Sequence, residues 1–158
     1  MSHRSKDPQQ GMWVLIFGRR LHTTPLSPNI TSILDVGTGT CLSADAIAHA
    51  FPIAEVIATY LVPPSRQDDT APSVHYIQHD ADDPEWALFQ VGQFDNIYVR
   101  MVTGGIHDWL GFRKNCFIHL KPGGALEIID MSYPLRADED AYDSEDYLSA
   151  SQSRTTYR

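Results

Sequence analysis

At residues 33–50 a short apolar segment, Ile33–Val36, runs into a turn with glycine at 37 and 39. A helical pattern carried by Leu42, Ala46, Ile47 and Ala50 follows at once. A strand that leaves through closely spaced glycines into a helix N-terminus reads as a buried strand of a sheet followed by a crossover helix. The two glycines let the backbone approach a ligand closely, and the first N–H groups of the helix lie next to them. The spacing is Gly-x-Gly-x-Cys. It differs from the G-x-G-x-x-G of nicotinamide and flavin sites, because position 42 is leucine.

The same alternation continues. The segments "AEVIATYLV" at 54–62, "VHYIQHD" at 74–80 and "FDNIYVRMV" at 94–102 read as three further strands. Asp108 precedes a helix with Trp109, Phe112, Cys116 and Leu120 at helical spacing, and "LKPGG" at 120–124 turns into a fifth strand, "ALEIIDM". Strands separated by helical patterns pair in parallel, so the fold class is a doubly wound α/β sheet. Ligands of such sheets bind beyond the carboxyl ends of the strands. The expected domain runs over 11–131. A polar stretch of 1–10 precedes it, a short apolar helix at 11–22 opens it, and an acidic tail at 132–158 follows.

Composition narrows the partners. Among 158 residues, 20 acids against 12 bases give a net charge of −8, which argues against nucleic acid. Six of those acids fall between Asp138 and Asp146, a run that reads as a solvated tail. Two cysteines make no disulfide framework, and the apolar run at 12–17 is too short to span a membrane. With no leader pattern visible, a cytoplasmic setting is expected. His75 and His79 could share a strand face, but no third ligand joins them and no metal site is expected.

The ordered blocks "GRRLHTTPL", "ILDVGTGT", "AHAFPIAEVIATYLVPPS", "HDADDPEW", "FDNIYVRMVTGGIHDW" and "LKPGGALEIID" resemble the class I S-adenosylmethionine-dependent methyltransferases. They are most similar to the fungal LaeA-like group associated with secondary metabolism. The resemblance implies a Rossmann-like core with strand order 3-2-1-4-5, its usual C-terminal strand pair here being missing or atypical. It implies S-adenosylmethionine as cofactor, a small-molecule substrate, and a nuclear setting as an alternative to the cytoplasm. By the same resemblance, Asp35, Gly37, Thr38 and Gly39 hold the methionine part of the cofactor. Asp80 or Asp82 lies near the adenine, and "YVRMVTGG" faces the reacting methyl group. Cys41 stands where the family's third glycine falls, and Tyr60 where its ribose-binding aspartate falls. Losing a hydrogen bond to a charged acceptor costs about 1.5–3 kcal/mol, so weakened cofactor contacts are expected.

Four residues are candidates for chemistry. His107 and Asp108, beyond the fourth strand, read either as a general base or as a loop residue and a helix cap. Arg100 reads as an anion-binding group or as a structural partner of Asp95 or Asp130. His22 becomes a pocket residue if the N-terminal helix folds over the site. The Cys41 thiol at a helix N-terminus is a weaker nucleophile candidate, having no assigned base. Trp86 and Trp109 read as packing residues. Two readings compete with methyl transfer. One is a methyltransferase-fold enzyme that catalyses a cyclisation, dehydration or rearrangement. The other is a non-catalytic subunit that pairs, as homodimer or heterodimer, through the N-terminal helix and the fifth-strand edge.

Overall fold

The computed structural model describes residues 22–63 and 71–131. The expected helix at 11–22 therefore lies outside the described residues except for His22, as do residues 1–10 and the acidic tail. The elements are β1 (Ser32–Val36), α1 (Leu42–Ala50), β2 (Glu55–Tyr60), β3 (Val74–Gln78), β4 (Phe94–Arg100), a 3-10 turn (Thr103–Gly105), α2 (Trp109–His119) and β5 (Leu120–Ile129). The strands form one sheet in the order β3-β2-β1-β4-β5, and every pairing is parallel. This is the expected doubly wound arrangement.

β1 is apolar throughout because both of its faces are covered. Ile33 joins the core under α1 with Ala44, Ile47, Ala48, Val56 and Tyr98. Leu34 and Val36 join the core under α2 with Trp86, Ile97, Val99, Phe112 and Cys116. The buried face of α1 is Ala44, Ile47 and Ala48, so the expected Ala50 is off the core face. On α2 the buried positions include the polar Asn115 and His119 beside Phe112 and Cys116.

Among the described residues, α-helices follow β1 and β4, whereas the β3–β4 crossover is an irregular chain. Its side chains take the place of a helix. Trp86 is 2 % exposed, edge-on to Phe89 and Phe112, and its indole N–H donates to the Ala81 carbonyl at 3.3 Å. Asn115 of α2 ties the crossover down by donating to the carbonyls of Asp83 and Pro84. Trp86 is thus a packing residue, and Trp109 stacks edge-on against Phe112.

β5 begins earlier than "ALEIIDM". Leu120 already pairs with Phe94, and the next register pair is Ala125 with Asn96, so the Lys121–Gly124 stretch bulges out of the ladder. The bulge lines a groove of about 230 Å³ with Leu26, Ile30 and Asp95, at the amino end of the strands. There Asp95 accepts from Lys121 Nζ at 2.8 Å and from the Thr31 and Ser32 amides. These bonds outweigh its burial and hold the carboxyl below the usual range.

His79 sits among Trp86 and Phe89, with Nε2 buried and unpartnered, and burial lowers its pKa. The unfolded chain therefore takes up the proton first, near the ordinary value of about 6.5. The stabilisation from neutral His79 is complete above that pH and is lost as pH falls through the lower folded value. Thermal melts at stepped pH check this: wild type is expected to lose stability below about pH 6.5 more steeply than His79→Phe.

Candidate functional site

The carboxyl ends of the strands carry the strained backbone. Gly37 (φ +68), Gly39 (φ +57) and Cys41 (φ +68) follow β1, and Met101 (φ +56) follows β4. Cys41 and Met101 are the non-glycine residues in the left-handed region among those described, a conformation costing roughly 1–2 kcal/mol outside glycine. Strain of this kind gathers at functional sites. A Cβ on Gly37 would meet Val102 Cγ1 at 2.9 Å, whereas one on Gly39 would meet nothing closer than the Gly37 carbonyl at 3.9 Å. The turn is therefore pressed against the β4 exit at Gly37 and open at Gly39.

Thr59 anchors the turn from β2. Its carbonyl accepts from Thr38 N at 2.9 Å and its hydroxyl from Gly37 N at 3.3 Å. Asp35, 2 % exposed, accepts from the Ser43 hydroxyl at 2.7 Å. Its burial raises the carboxyl pKa against the opposing pull of Arg100 and Ser43. Cys41 is the N-cap of α1 and makes no side-chain cap bond. Its backbone thus keeps the conformation a glycine would take. Its side chain is 2 % exposed, with the thiol beside the Tyr76 phenol. The thiol also lies 4.0 Å from the Gly39 carbonyl, so the buried side chain stays against the turn. Burial also raises the thiol pKa, the opposite of what a nucleophile requires.

Asp80 and Asp82 separate into different roles. Asp82 accepts from the amides of His107 (2.9 Å) and Asp108 (3.1 Å) through Oδ1, and its Oδ2 lies 2.8 Å from His107 Nδ1. Those backbone amides, with the His107 ring, hold its carboxyl below the ordinary carboxylate range. Asp80, exposed, accepts from Asp82 N through one oxygen. Of the two, Asp80 keeps an oxygen for a ligand. Tyr60 ends β2, half-buried, and its carbonyl accepts from His79 N.

The remaining candidates fall into place. Asp108 caps α2, accepting from Leu110 N and Gly111 N, which fixes it as a cap. His107 is on the edge with its side chain 87 % exposed. Arg100 pairs with neither expected acid: Asp95 holds Lys121, and Asp130 accepts from Thr103 N. Its guanidinium instead lies 5.8 Å from the Tyr98 ring centroid, with Nη2 buried and unpartnered. His22 packs on Phe51, the C-cap of α1, so it lies at the end of that helix away from the glycine turn. Glu127, which the sequence did not single out, is buried on β5 and accepts from Thr23 N, the Thr23 hydroxyl and Thr24 N, pinning the segment after His22. Thr59 and Ser43 are likewise parts of the site that carry no signal in the sequence.

A parallel 3-2-1-4-5 sheet with a glycine turn between β1 and its helix is the fold of the class I methyltransferases. The chain belongs to the methyltransferase-domain family, whose profile matches residues 9–154. S-adenosylmethionine is the cofactor of that class. The chain is similar to the methyltransferase pytC of Aspergillus terreus, with 32% identity over 117 residues, covering 74% of this chain and 35% of that protein. It is similar to the secondary metabolism regulator laeA of Aspergillus flavus, with 28% identity over 112 residues, covering 71% of this chain and 30% of that one. The chain thus spans about a third of the length of these relatives. Its fold matches the methyltransferase in a complex with the Trm112 activator from Haloferax volcanii, at TM-score 0.63 and 17% identity, covering 75% of this chain and 52% of that one. Among the described residues, no helix is long and apolar enough to cross a membrane.

Proposed function

We propose that the chain binds S-adenosylmethionine at the carboxyl edge and serves methyl transfer to a small molecule of fungal secondary metabolism. One observation carries the reading: the left-handed run Gly37, Gly39 and Cys41, which keeps an open backbone cradle at the start of α1. Backbone at Gly37, Thr38 and Gly39, with Asp35 beneath, would hold the amino-acid end of the cofactor. Tyr60 and Asp80, at the β2 and β3 exits, would take its nucleoside end. The group itself supplies an electrophilic methyl; the chain's residues bind it, orient it and limit water.

The burial of Cys41 favours an intact cradle, which leaves Tyr60 as the larger departure. A phenol offers the ribose one hydroxyl where a carboxylate would accept from both ribose hydroxyls. Calorimetric titration with S-adenosylhomocysteine tests the account. Wild type is expected to bind, and Tyr60→Asp to bind about 10-fold or more tighter, as one charge-assisted bond implies. Cys41→Gly is expected to change affinity little. Absence of binding in wild type, with binding restored in the double variant Cys41→Gly/Tyr60→Asp, would reject the reading. It would favour the cyclising or rearranging enzyme, or the partner subunit. The likeness to a methyltransferase from an activator complex supports a pairing surface, for which the β5 edge is our candidate. A cytoplasmic or nuclear setting belongs to the same proposal.

A further inference from the structure

α2 buries Phe112, Asn115, Cys116 and His119, and its opposite face presents Leu110, Arg113, Lys114 and Phe117 to solvent. Leu110 and Phe117 are one heptad apart, so they share a line along the helix to within about 20°. Arg113 and Lys114 flank that line on either side. Leu110 is 74 % exposed and Phe117 67 %, so both leave most of their apolar surface in water. Val91, also exposed, extends the face past the helix end, where the Gly92 amide donates to the Ile118 carbonyl. Single exposed apolar residues are ordinary, but a stripe of them rimmed by charge marks an interaction surface. The helix carries no acid of its own. Among the described residues neither Arg113 nor Lys114 makes an ion pair.

Charge selects the occupant. Two copies meeting through this face would set the same cations against each other, since an isologous contact pairs a patch with itself. Residues 1–21 carry Arg4, Lys6, Arg19 and Arg20 against the one acid Asp7, the same sign as α2. The stretch 138–148, "DEDAYDSEDYL", sets six acids among Tyr142, Tyr147 and Leu148, and so complements the face in charge and in apolar surface. Its tether is also well placed. β5 ends at the carboxyl edge, where α2 begins, and Asp130 accepts from Thr103 N in the turn leading toward α2. The seven residues from Met131 to Asp138 reach at most about 25 Å, and the 11-residue helix is about 16 Å long. We propose that residues 138–148 dock on the outer face of α2, acids against Arg113 and Lys114, and Tyr142, Tyr147 and Leu148 over Leu110 and Phe117. The run that composition reads as solvated is then an intramolecular contact, and the face is a surface for an acidic segment bearing aromatic residues. This inference stands whether or not a cofactor binds.

A nitroxide on the tail of the full chain tests this by amide NMR. Cys41 and Cys116 are buried, so a label on Ser144→Cys is selective. The amides of Leu110, Arg113, Lys114 and Phe117 are expected to lose intensity in the labelled chain, while those of β3, at the far side of the sheet, keep theirs. The loss is expected to shrink when Arg113→Glu and Lys114→Glu are added, two exposed positions whose replacement leaves the core intact. It is expected to shrink likewise without those substitutions at about 1 M salt, where the screening length is about 3 Å. No loss on α2, or a loss that charge reversal leaves unchanged, would overturn the proposal. Should the charge-reversed chain lose its dispersed spectrum, the salt series alone decides. Mixing the nitroxide chain with an isotope-labelled chain that has no nitroxide is expected to leave α2 unaffected. Intensity lost there would put the tail of a second copy on the face, and the intramolecular contact would be wrong.

Discussion

Trp86→Ala is expected to destabilise the chain by about 3–5 kcal/mol, the range for removing a buried large aromatic. The indole is 2 % exposed and touches Phe89, Phe112, His79 and His119, four rings from three separate parts of the chain. The β3–β4 crossover has no helix of its own to bury, so this side chain carries the attachment of that crossover to α2. Urea unfolding followed by far-UV dichroism measures the loss. Trp86→Phe, which keeps an aromatic but forfeits the bond to the Ala81 carbonyl, is expected to retain much of the stability. Equal losses for the two variants would mean that the indole bond, and not the volume, matters.

Gly37→Val is the second large effect, and it falls on binding as well as on folding. At φ +68 a β-branched residue is strained by roughly 1–2 kcal/mol, and its Cβ would stand 2.9 Å from Val102 Cγ1. Either the turn or the β4 exit must move, and both border the cradle. A displacement that costs binding about 2 kcal/mol weakens S-adenosylhomocysteine by about 30-fold in calorimetry. Gly104→Ala, also at this edge but with nothing within 4 Å of the added carbon, is the control and is expected to fold like wild type. Matching affinities for Gly37→Val and wild type would show that the ligand does not use the turn.

How much of this could be read from residues alone depends on how local each cause is. Strands buried on both faces must be apolar along their length, so β1 and β4 stand out as runs, and the glycine turn declares the reversal after β1. The start of β5 did not stand out, because the Lys121–Gly124 bulge writes turn residues into the strand. The β3–β4 crossover was also opaque: Trp86 and Phe89 replace a helix through contacts that have no period. The same divide runs through the site. Gly37 and Gly39 announce themselves because their geometry is their own. The pairing of Asp82 with His107 spans 25 residues and needs two loops to converge. Cys41 is ambiguous for a related reason: its identity suggests an obstructed cradle, whereas its burial beside Tyr76 is a contact made across the fold. Arg100 had two plausible acid partners by sequence, and both are spent on other donors.

The central claim is that a cofactor lies on the glycine turn at the carboxyl edge. Amide NMR of the wild-type chain titrated with S-adenosylhomocysteine tests it most directly. The account predicts saturable shifts at Gly37, Thr38 and Gly39 and at the Asp80 exit, and none at the Asp95–Lys121 groove on the opposite edge. Shifts confined to that groove, or no saturable shift at the turn, would contradict it.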